Sequence, residues 1–179
     1  MGRVINFIKA LFLPCALLFF IFNFNKNPPI VLHVLWLASG FTLAYVISNI
    51  IHEMSHYFFF RLYGLKVTEI SFGILRVSFR ENKTRFIPAF HRPFKVFCSC
   101  LGLDTISRYK RAVCLLSGGL VNLILAVPAS IILILVSEPR HKLLFGILSA
   151  AFLLNAVLNA AIPVSGDREL LRLVNQPKK

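Results

Sequence analysis

The sequence predicts an α-helical polytopic membrane protein of about four transmembrane helices, with a small β-hairpin or sheet between the second and third. Three observations predict it. Of the 179 residues, 57% are hydrophobic and the mean hydropathy is +0.74, too apolar for a soluble domain of this length. Four apolar runs stand out, at about 7–24, 30–62, 112–136 and 143–162, each near or above the roughly 20 residues that one span needs. Between the second and third runs, residues 65–107 lose that uniform character and alternate polar with apolar side chains. The whole of 1–179 then reads as one membrane-embedded core.

The first run resembles a secretory leader in position only. Its apolar core is long and no small-residue cleavage site follows it, so it reads as a retained helix. Asn25 to Pro29 is a polar turn. The second run exceeds one span and must tilt or project beyond the bilayer. In the middle segment, Val67 to Phe79 and Thr84 to Phe90 read as the arms of a β-hairpin or small sheet around a turn at Glu81-Asn82-Lys83. The third run carries Gly118, Gly119 and Asn122, and the glycine pair reads as a close helix-packing point. The fourth passes Asn155 and Asn159 into Pro163 and Ser165-Gly166-Asp167, where the helix should end.

The net charge of +13 has the magnitude of a nucleic-acid binder but not the distribution. Four spans place 17 of the 20 lysines and arginines on one side: Arg3 and Lys9, the eleven from Arg61 to Arg111, and Arg168, Arg172, Lys178 and Lys179. Only Lys26, Arg140 and Lys142 fall on the other. This is the asymmetry of the positive-inside rule, with attraction to anionic lipid as a secondary effect. It predicts a multi-pass protein of a bacterial cell membrane, with both termini and the β-rich loop cytoplasmic, in contact with lipid and not with nucleic acid. The cysteines Cys15, Cys98, Cys100 and Cys114 read as free thiols.

His52-Glu53-Met54-Ser55-His56 carries the chemistry. Histidines at i and i+4 share one helix face and can reach one metal ion. The adjacent glutamate can then act as a base toward water on that metal. Ionisable groups inside a span are costly and mark function. Together they suggest zinc and peptide-bond hydrolysis at or within the membrane. A catalytic zinc takes three protein ligands. Asp167 is preferred as the third because the same topology brings it to the membrane level of the histidines; Asp104, Glu169 and His91 lie on that side too.

Three blocks in order resemble the site-2 protease family of intramembrane zinc metalloproteases. HEMSHYFFFRLYGLKVTEISFG (His52–Gly73) is similar to its H-E-x-x-H helix, Arg-x-x-Gly turn and Phe-Gly strand end. SGGLVNLILA (Ser117–Ala126) resembles its G-P-x-x-N stretch, with Gly119 at the proline. NAAIPVSGD (Asn159–Asp167) resembles its N-x-x-P…D-G stretch, with the last pair inverted as Gly166-Asp167. The resemblance implies zinc held by His52, His56 and Asp167, and Glu53 as general base. It implies Asn122 and Asn159 beside a substrate cleft, and cleavage of a transmembrane or membrane-associated peptide. A catalytically inactive relative that binds a membrane partner is the alternative, and the inverted pair is its main support.

Overall fold

Thirty-three residues without an interior proline form the longest element, helix α2 (Ile30–Leu62). At 1.5 Å per residue it is about 50 Å long, well beyond the ~30 Å of bilayer hydrocarbon. It ends in a glycine-capped turn. Gly64 has φ +75°, Leu65 N–H donates to Phe60 O (2.8 Å) and Gly64 N–H to Arg61 O (3.1 Å). Phe60 and Leu65 then share one apolar cluster, the hydrophobic contact that accompanies this cap.

The computed structural model describes residues 15–21, 30–73, 75–80, 83–89 and 96–161. Residues 15–21 are helical (α1), so the rest of the expected first span lies outside the described residues. Helices α3 (Arg108–Leu135) and α4 (Pro139–Ala161) follow the sheet. Helix α3 starts four residues before its apolar run because Ser107 caps it, accepting from Lys110 N–H. Stretches of α2, α3 and α4 are each long and apolar enough to cross a membrane.

The expected β segment is present but differs in detail. Four strands, β1 (Lys66–Phe72), β2 (Leu75–Arg80), β3 (Lys83–Pro88) and β4 (Val96–Leu101), form one antiparallel sheet in the order β3-β2-β1-β4. The arm expected over Val67–Phe79 is broken at Gly73, whose φ of +75° lets the chain reverse between β1 and β2. Strand β4 contains Cys98 and Cys100 and lies against β1 and α2.

Helices α2, α3 and α4 pack mutually, and four contacts fix their register. The His52 ring lies on Gly118, and His56 meets the carbonyl of Cys114. Antiparallel α2 and α3 therefore also set Ser48 level with Asn122 and Ala44 level with Ala126. Gly40 faces Ile147, so along α2 and α4 Ala44 meets the level of Ala151, Ser48 that of Asn155 and His52 that of residue 159. Ser130 and Ser149 join α3 to α4 through their hydroxyls at 2.6 Å. The interior is thus layered: alanines 44, 126 and 151, then Ser48, Asn122 and Asn155, then the histidines, all buried. Leu116, Leu120, Ile124, Val127, Ile131 and Ile134 of α3 point outward. Small or polar side chains inside and large apolar ones outside is the packing of helices in lipid. The short α1 is docked by Trp36, which stacks on Phe20 at 4.8 Å and donates Nε1–H to Phe20 O at 3.2 Å.

Candidate metal centre

One turn of α2 positions both histidines. Their rings sit edge to face with centroids 4.7 Å apart, and His52 Nε2 and His56 Nε2 converge to 3.1 Å. Two nitrogens on one tetrahedral zinc, at bonds of 2.0–2.1 Å, stand about 3.3 Å apart. Both side chains are buried, His52 at 5% and His56 at 6% exposure.

Helix α3 supplies the surroundings. His56 Nδ1 donates to Cys114 O at 2.7 Å, and the Ser117 hydroxyl, itself donating to that carbonyl at 2.9 Å, lies 3.3 Å from the same nitrogen. A proton fixed on Nδ1 leaves the Nε2 lone pair for a metal, the usual outer support of a ligating histidine. Phe60 stacks beneath His56 at 5.9 Å. Gly118 is what admits His52: a Cβ there would stand 2.5 Å from its Cε1 and Nε2. Gly119, by contrast, has nothing within 4 Å of where its Cβ would be.

Glu53 is half-buried on the flank of α2 that faces β4. Its charge reaches Cys98, whose thiol is pushed up to about 12 by burial first, then by Glu53, then by Cys100. Burial and the neighbouring Cys114 raise Cys100 to about 11. Such thiols stay protonated and unreactive at neutral pH, in keeping with the four free cysteines.

Asn122 is fully buried one turn from Gly118, and neither its Oδ1 nor its Nδ2 has a hydrogen-bond partner among the described residues. Residue 159 lies at the level of His52, but the Asn159 side chain, like Asp167, Glu169 and His91, lies outside the described residues. Asp104 is exposed in the turn before α3. Among the described residues no third His, Cys, Asp or Glu joins the histidine pair. Sequence reasoning did not single out Ser117 or Cys114 O, because their approach depends on how α3 docks; the nearby glycine pair was the available signal.

The site is thus a bundle of helices long and apolar enough to cross a membrane, packed around a buried H-E-x-x-H turn. The model of peptidase family M50 matches residues 40–174, from the first half of α2 past the end of α4, and the chain belongs to that family. Searches of characterised proteins and of solved structures find no match.

Proposed function

We propose that this protein is an intramembrane zinc metalloendopeptidase that cleaves membrane-anchored or membrane-inserted peptides. The observation that carries the reading is the buried histidine pair, with Nε2 atoms 3.1 Å apart and His56 Nδ1 held by Cys114 O. That donor set fits zinc: two buried imidazoles on one helix face, with Asp167 assigned as the third ligand. Zinc held there supplies Lewis acidity for peptide hydrolysis. Glu53 takes the proton of the attacking water and passes it to the leaving amine nitrogen. Asn122 and Asn159 are assigned to the substrate cleft.

A helical substrate must unwind locally before its carbonyls are accessible, because its backbone bonds are satisfied internally. Strand β3 is one of the two edge strands of the sheet and all six of its residues are exposed, so an unwound segment can add to that edge. The basic excess supports an orientation with the sheet on the cytoplasmic side.

The test is the metal content of detergent-purified protein, paired with cleavage of a membrane-inserted peptide. Wild type is expected to hold about one zinc per chain. His56→Ala and Asp167→Ala should lose or weaken it. Glu53→Gln should keep zinc and abolish cleavage; a Glu53→Gln protein that still cleaves sinks the base assignment. A wild type that takes up no zinc moves the reading to a non-catalytic partner-binding protein.

A further inference from the structure

The two histidines are supported unequally. His56 Nδ1 is held by Cys114 O, whereas His52 Nδ1 is buried with no hydrogen-bond partner among the described residues. A ligating histidine almost always donates its second N–H to an acceptor. Two further buried polar groups without such partners lie in the next layer: the Ser48 hydroxyl and both amide atoms of Asn122. Ser48 stands four residues before His52, on the same helix face. Helical side chains lean toward the N-terminus, so His52 leans toward Ser48. The α2–α3 register sets Asn122 opposite Ser48. Both are 0% exposed, and the alanines 44, 126 and 151 close the layer on the far side.

Three buried polar groups on two adjacent layers, none hydrogen-bonded to another, suit one internal water, which needs two to four polar partners. We propose that Ser48, Asn122 and His52 Nδ1 hold one water between them, and that Ser48 is thereby a positioning residue for His52. The water accepts a hydrogen bond from His52 Nδ1–H and donates to Ser48 Oγ and Asn122 Oδ1. His52 is then fixed in the tautomer that leaves Nε2 free for the metal. The inference rests on the zinc reading above and adds a residue to it.

The experiment compares Ser48→Thr, which keeps a hydroxyl, with Ser48→Val, which has the same shape without one. Zinc affinity is measured by chelator competition on the purified proteins, beside the visible spectrum of the cobalt-loaded forms. Ser48→Val is expected to bind zinc about 10–100-fold more weakly than Ser48→Thr and to shift the cobalt bands, with equal metal-free melting points. Equal affinities and identical spectra overturn the assignment. Should Ser48→Val fail to fold, Ser48→Ala is read against Ser48→Thr in the same way. An experimental map that resolves solvent should show a peak within bonding distance of all three groups; a direct Ser48–Asn122 bond without that peak overturns the water. A wild type without zinc overturns both this inference and the peptidase reading, whereas equal Thr and Val variants in a zinc-binding protein overturn this one alone.

Discussion

At the scale of the residue, the two adjacent glycines of α3 have opposite meanings. Replacing glycine by alanine in a helix gains about 0.8–1.0 kcal/mol from propensity. At Gly119 nothing opposes that gain, since no atom lies within 4 Å of the new methyl. At Gly118 the methyl would meet the His52 ring at 2.5 Å, and crowding of that kind costs about 1–3 kcal/mol. Contact should therefore win over propensity. Gly118→Ala is expected to lower the melting temperature and weaken zinc binding at least tenfold, while Gly119→Ala leaves zinc affinity unchanged and matches or exceeds wild-type stability. Equal behaviour of the two variants would show that the His52 ring does not need the gap. The histidine pair itself was legible in the sequence because its geometry is local: four residues on one helix give one face. The need for a gap at Gly118 was legible only as a packing point, since its partner is 66 positions away.

At the scale of the element, helix ends are fixed by few atoms. Glu138 precedes α4 and accepts from the His141 N–H at 2.8 Å, with His141 Nδ1 at 2.9 Å from the same oxygen. The backbone hydrogen bond from His141 is the first cause that holds its carboxyl below the usual glutamate range, aided by one from Arg140 and by the charges of both side chains. A carboxyl depressed in the folded state adds stability above its unfolded pKa and loses it as pH falls through the folded value. Melting curves of wild type and Glu138→Gln should therefore differ slightly near neutral pH and converge in acid. A difference that persists at low pH would rule the cap out as its source. Element positions were largely legible: α2 occupies its expected range, because unbroken hydropathy and the Arg61–Gly64 cap mark both its course and its end. Strand β4 was not anticipated, since Val96–Leu101 is short, has no strict alternation and pairs with β1 across about thirty residues.

At the scale of the whole molecule, the layers of the bundle distinguish inside from outside more sharply than hydrophobicity does. Ala151 is fully buried in a cluster with Trp36, Ala44 and Ile147, where α4 packs on α2, whereas Val157 on the same helix is 58% exposed. Ala151→Leu adds volume in the packed seam between α2 and α4 and should cost about 1–3 kcal/mol, read as a lower melting temperature in detergent. Val157→Leu should leave it unchanged. If both variants melt alike, the packing of α4 on α2 is wrong. The three-helix register was not legible beforehand: Ser48, Asn122 and Asn155 come from three separate helices, and pairing between helices leaves no periodic mark in any one of them. Asn122 drew notice as a polar residue in a span, but Ser48 and Asn155 took their meaning only from the packed bundle.

The chain has one tryptophan, and Trp36 is the residue that clasps α1 to α2 through Phe20. Its emission is therefore a single-site report on whether the amino-terminal helix is seated. Undocking would remove the stacked ring and free the indole N–H, changing colour and lifetime together. Without any attached dye, the protein's own fluorescence can follow that joint in a lipid vesicle while the metal centre, on the far half of α2, is loaded or emptied.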